Sequence, residues 1–264
     1  MRARIFAAAL AVLVAPMLVA APAFDRVLPE DTLGIALVKS VPALKEKLKN
    51  HPAHDIWMEP SVQKFFEKAL ARLEQEIQKA EGKTGVTLAE VLGLFSGQVA
   101  LAINTDDQAA DVEFLFLAEV GNKGDRAKQI IAALVAAAAK SANPDQPAAL
   151  KTVELTIEGV KFVGLADADD DPNNPSAAYG VADGVLVFGR PVAALKRTVL
   201  FLRNAPPASL ASTPAYKASL AVINPASEIQ GYVNLARIVR IATQRFGGPE
   251  AAQAVNALGL NGLV

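Results

Sequence analysis

Three aspartates at alternate positions, Asp167, Asp169 and Asp171, have the spacing with which a loop turns carboxylates toward a calcium ion, and Asp170, Asn173 and Asn174 add further oxygen donors. The helix–loop–helix calcium motif is incomplete here. Pro172 stands at its sixth position, where the sharp turn needs glycine, and Ala178 at its twelfth, where a bidentate glutamate closes the shell. What these residues support is an acidic connector with weak calcium affinity. His51 and His54, the only two histidines, lie near Asp55 and Glu59 and form the one cluster with donors suited to a transition metal. Pro52 keeps the pair off a regular helical turn, so a solvated loop is the simpler reading.

Two further stretches imitate familiar chemistry without supplying it. Gly82-Lys83-Thr84 ends like a phosphate-binding loop, but the first glycine of that motif would fall at Ile77, inside a helical pattern with no strand before it. Gly93-Leu94-Phe95-Ser96-Gly97 places its serine one position late for a hydrolase elbow, and both histidines that could act as its base sit in one distant loop. Tyr179, Tyr216, Tyr232 and Trp57 are too dispersed for an aromatic binding strip. No cofactor motif is present. Aspartates and glutamates are plentiful, which leaves a carboxylate-based hydrolase of the glycosidase kind as the enzymatic alternative.

The chain has no cysteine, which excludes disulfides, a thiol nucleophile and thiolate metal sites. Its formal charge is −1, and lysines and arginines are scattered rather than striped, which argues against nucleic acid as a partner. The first 23 residues read as an export signal. Arg2 and Arg4 form a basic start, Ile5 to Ala20 an apolar run interrupted by Pro16, and Ala21-Pro22-Ala23 a small-x-small cleavage site before Phe24. Removing Arg2 and Arg4 takes the formal charge from −1 to −3. A cysteine-free exported chain points to a bacterial periplasm or envelope, so the expected product is periplasmic or extracellular, with the leader cleaved after Ala23. Retention of the leader as an anchor is the alternative. No later segment is long and apolar enough to cross a membrane.

Behind these residues stands a regular order of elements. Leu33 to Val38 reads as a buried strand, and Ser40 caps a helix from Val41 to Lys49. From Pro60 to Lys79, Val62, Phe65, Phe66, Ala69, Leu70, Leu73 and Ile77 repeat with helical period, a stripe made to pack on a sheet. A short helix at Leu88 to Leu92 leads to strands at Gln98 to Ile103 and Val112 to Val120, joined by the polar loop Asn104 to Asp111. A helix bearing Ala127, Ile130, Ile131, Leu134 and Val135 comes next and closes at Asn143-Pro144. Glu158-Gly159 and Asp183-Gly184 then mark two tight hairpins, so Thr152 to Arg190 forms a four-stranded meander. Beyond it come helices at Pro191 to Arg203 and from Pro214, a strand at Glu228 to Val233, and helices at Asn234 to Phe246 and Glu250 to Leu258.

The two halves echo each other. Val41-Pro42-Ala43-Leu44-Lys45 comes after an early strand as Val192-Ala193-Ala194-Leu195-Lys196 comes after a late one, which raises a duplicated strand–helix–helix–strand unit. The expected organisation is a signal peptide at 1–23, a first α+β half at 24–150 and a second at 151–264, or one continuous domain. Leu260-Asn261-Gly262-Leu263-Val264 reads as a turn entering a further strand, so the sequence is either a fragment of a longer protein or one with a frayed end.

Four segments also resemble a family of predicted secreted bacterial proteins, of planctomycete and myxobacterial type, defined as a domain of unknown function. They are Leu28-Pro29-Glu30-Asp31-Thr32, Glu59-Pro60-Ser61-Val62, Leu94 to Ala100 and Tyr179-Gly180-Val181-Ala182-Asp183-Gly184. The resemblance implies an exported α+β protein and assigns no catalytic residues. The combined expectation is an α+β protein, an antiparallel sheet with amphipathic helices mainly on one face. Its expected role is non-catalytic binding of a partner or small ligand in the envelope. A carboxylate hydrolase and an apolar-ligand or lipid carrier are the alternatives. The carrier needs an open apolar cavity, the hydrolase paired carboxylates in a cleft, and the binding module neither.

Overall fold

The structure, a computed structural model, describes residues 22–49, 59–61, 86, 88–105, 112–141, 151–166, 171, 175–204, 206 and 208–245. It is α+β: eight strands form one antiparallel sheet in the order β4-β5-β6-β7-β3-β2-β1-β8. The strands are β1 (Gly34–Val38), β2 (Val99–Thr105), β3 (Val112–Glu119), β4 (Lys151–Ile157), β5 (Val160–Ala166), β6 (Ala177–Ala182), β7 (Val185–Arg190) and β8 (Ile229–Val233). The helices are α1 (Phe24–Val27), α2 (Val41–Lys49), α3 (Leu88–Leu94), α4 (Gly124–Ser141), α5 (Val192–Arg203), α6 (Pro214–Ala221) and α7 (Leu235–Arg245).

Local chemistry accounts for most of these boundaries. The β4–β5 and β6–β7 turns have positive φ at both central residues, 49° and 76° at Glu158-Gly159 and 50° and 78° at Asp183-Gly184. This is the turn whose twist matches that of the flanking strands, and it fixes the register of the meander. Hydroxyl and amide oxygens cap helices at their starts: Ser40 Oγ accepts from the Ala43 amide, Thr213 Oγ1 from Tyr216 and Asn234 Oδ1 from Arg237. Of the long amphipathic stripe, only Pro60 and Ser61 lie within the described residues, and both are exposed. The rest of it lies outside them, as do residues 1–21 of the leader, the two histidines, Gly82 to Thr84, and the elements expected beyond Arg245.

The sheet divides the core in two. On the first face, Ile35, Leu37, Ala100, Ala102, Leu115, Leu117, Val185, Val187 and Ala178 pack beneath α5, α1 and α6 in the larger cluster. Helix α5 buries Ala194, Leu195, Thr198, Val199 and Leu202, each of the large aliphatic ones worth about 1.5–3 kcal/mol. Close approach on this face is made by glycines: a Cβ on Gly180 would stand 2.6–2.9 Å from the Phe162 ring, and one on Gly189 would meet the Phe114 carbonyl at 2.6 Å. On the second face, α3 and α4 cover Ala118, Leu186 and Val120 in a smaller cluster that also holds Val86, Leu94, Ala127 and Ile130.

Candidate functional site

Pleating sends alternate side chains to opposite faces, so the pairing register decides which residues lie together on the second face. One row runs from Gly231 through Ala36 and Leu101 to Phe116, Phe188 and Tyr179. A second runs from Val233 through Gly34 and Ile103 to Phe114. A third runs from Ile229 through Val38 and Val99 to Ala118, Leu186 and Val181. Toward β7 and β6 these rows pass beneath covering elements, with Phe95 edge-on to Phe116 and α4 packed against β6 and β7. Toward β8 no described element covers them. Leu101 is 39% exposed, Ile103 41%, Ile229 56% and Val233 57%, whereas Leu186 on the same face is 2% exposed. Leu101, Ile103 and Val233, together with Gly34, Ala36 and Gly231, line a shallow apolar depression of about 380 Å³.

The polar groups of the sheet gather on the first face and at its end. Glu113 of β3, itself buried, accepts from Arg197 of α5 and, at 3.4 Å, from the Asn104 amide of β2. Arg237 of α7 donates to the Asp31 carboxylate at 3.4 Å and to the Thr105 carbonyl at 3.2 Å. Gln98 accepts from the Phe24 amide and donates to Glu119. These contacts tie α1, α5 and α7 to strand ends, and Glu113, Asp31 and Glu119 each have a cationic or amide partner. Tyr216 packs edge-on to Tyr232 at 5.1 Å. Burial first, and then the facing Asp25 carboxylate, holds the Tyr216 phenol well above its ordinary value.

Of the acidic connector, Asp171 is exposed between β5 and β6, while Asp167 and Asp169 lie outside the described residues. Among the described residues, no group of three or more histidine, cysteine, aspartate or glutamate side chains is placed to hold a metal. Ser96 donates its hydroxyl to the Glu119 carbonyl at 3.2 Å on the exposed approach to β2. Sequence reasoning placed β1, β2 and β8 as strands but missed that the described elements leave one face of them exposed. The available signal was that β2 and β3 are apolar at successive positions, Val99 to Ile103 and Phe114 to Ala118. A strand apolar on both sides needs cover on both or meets something else.

No protein-family model, curated protein or solved structure matches the chain.

Proposed function

We propose that this is an exported, non-catalytic binding module of the bacterial envelope that presents the uncovered β8-β1-β2 portion of its sheet to an apolar surface of a protein partner. The observation that carries the reading is the change in cover along the second face, from Leu186 beneath α4 to Leu101, Ile103, Ile229 and Val233 in water. Contiguous exposed apolar area on a folded chain marks an interaction site far more often than scattered single residues do. The shape favours a macromolecular partner over a small ligand. Pockets for small molecules enclose most of the ligand surface, and this one is a shallow strip on a sheet. Export is supported by the basic start, apolar run and small-residue site of residues 1–23. No helix among the described residues is long and apolar enough to cross a membrane.

The test uses two probes, anilinonaphthalene sulfonate and dodecanoate, titrated against the purified chain and against a Leu101→Lys/Ile103→Lys variant. Anilinonaphthalene fluorescence should rise with the unmodified chain and fall severalfold in the variant, with thermal stability nearly unchanged. Equal dye binding by both would sink the reading. Saturable one-to-one binding of dodecanoate would replace it with the carrier. Export is tested separately by expressing the full chain in a bacterium, where mature protein beginning at Phe24 is the expected product.

A further inference from the structure

We propose that β8 is a dimerisation edge: a second copy of the chain adds its own β8 antiparallel to this one, about a two-fold axis passing beside Gly231. This goes beyond the proposed binding role and rests on the sheet edge, not on any partner of the sheet face.

The hydrogen-bond pattern defines which groups the edge offers. Glu228 accepts from the Lys39 amide and Asn234 donates to the Leu33 carbonyl, so the even-numbered residues of this segment turn their backbone groups toward β1. In an antiparallel ladder the alternate residues face the other way. The amides and carbonyls of Ile229, Gly231 and Val233 therefore point outward, and among the described residues the only contact to them is from the Ser227 hydroxyl to the Ile229 carbonyl at 2.7 Å.

The sequence of the edge is self-complementary. Ile229-Gln230-Gly231-Tyr232-Val233 carries no charge, and a two-fold beside Gly231 sets Ile229 opposite Val233 of the copy, two apolar residues exposed to nearly the same extent, 56% and 57%. Nothing lies within 4 Å of where a Cβ on Gly231 would stand, so the sheet face beside the two-fold has room for a side chain at this position. The other edge of the sheet differs: β4 carries Lys151 and Glu154, charges of the kind that discourage edge-to-edge pairing. An antiparallel strand pair is isologous by construction, the same patch serving both copies, so the association closes at two. In the dimer Gly231 exchanges both backbone bonds with its counterpart, and the two uncovered faces join into one apolar surface twice as wide.

Absence of native cysteine makes the test direct. Hydrogen-bonded antiparallel pairs have Cα atoms about 5.5 Å apart, within the span of a disulfide. Under mild oxidation Gly231→Cys should give a cross-linked dimer, while Gln230→Cys, with its backbone turned to β1, should not. Light scattering on the unmodified chain should give twice the monomer mass. Gly231→Pro removes an outward donor without touching the β1 ladder and should weaken dimerisation at least about tenfold. Ile229→Lys/Val233→Lys should do the same by like-charge repulsion, which guards against a folding defect in the proline variant. A monomer at about 100 μM, or a dimer that survives both variants, overturns the proposal. So does a dimer that is lost in Leu101→Lys/Ile103→Lys but not in the edge variants, since the copy would then sit on the face. Loss of dye binding with the dimer intact would fault neither the edge nor its pairing.

Discussion

Leu186 and Leu101 lie on the same face of one sheet, in strands that flank β3 on either side, yet one is sealed beneath α4 and the other stands in water. Their strands read alike, short and apolar at successive positions. The difference lies in the connections: the chain leaves β3 through the turn at Gly121 into α4, which folds back over β6 and β7, while on the β8 side no described element returns to that face. A strand's own pattern therefore states what it can bury, and the connections decide what it does bury. Two helices make the same point. Helix α2 and helix α5 begin with similar residues, but α5 buries five side chains and α2 none.

The contrast can be broken by truncation at matched positions. Leu186→Ala should destabilise the fold by about 2–5 kcal/mol in chemical denaturation, the range for a leucine that leaves a cavity. Leu101→Ala should cost about 1 kcal/mol or less, since water already reaches it. Equal losses would mean that the two halves are covered alike.

The next largest effects come from groups that hold the covered face together. Arg197→Ala leaves Glu113 with only a long contact to Asn104 and should cost about 1.5–3 kcal/mol, the range for a lost hydrogen bond to a charged group. Gly180→Ala drives a methyl group into the Phe162 ring and should cost about 1–3 kcal/mol, as overpacking does. Denaturant midpoints measure both, and a neutral Gly180→Ala would show that the ring yields without strain.

A smaller effect, confined to alkaline pH, concerns Tyr216. Its phenol is raised on folding by burial and by Asp25, from an ordinary value of 10.0. The folded state thus holds this proton more tightly than the unfolded chain does. The associated stability is complete below about pH 10 and is lost as the pH climbs from there through the folded value. Tyr216→Phe should flatten the alkaline decline in melting temperature without abolishing it, because burial also raises Tyr179 and Tyr232. An unchanged slope would remove Tyr216 from the account.

Much of the fold was legible in the residues. Asp183-Gly184 and Glu158-Gly159 announced their hairpins because two successive positive φ values demand such residues. Ser40 and the stripe of Ala127, Ile130 and Ile131 placed α2 and α4 for equally local reasons. The pairing of β8 with β1 and of β7 with β3 was not legible, since each joins strands far apart in sequence and no local propensity encodes such a choice. The candidate site shared that fate. Leu101 and Ile103 were legible as strand residues, and only the register, together with the position of α4, shows which face they take and that it is exposed. The aspartates that drew attention first gave one described residue, the exposed Asp171.

Thiol labelling tests the central claim most directly, because the chain has no cysteine of its own. With single substitutions Leu101→Cys and Leu186→Cys, reaction with dithionitrobenzoate under native conditions reads the cover over each position. An open face predicts that the cysteine at 101 reacts within about tenfold of its rate in denaturant, and the one at 186 at least about a hundredfold more slowly, through opening of the fold. Equal protection at both positions would contradict the account, since the face proposed to receive a partner would already be covered.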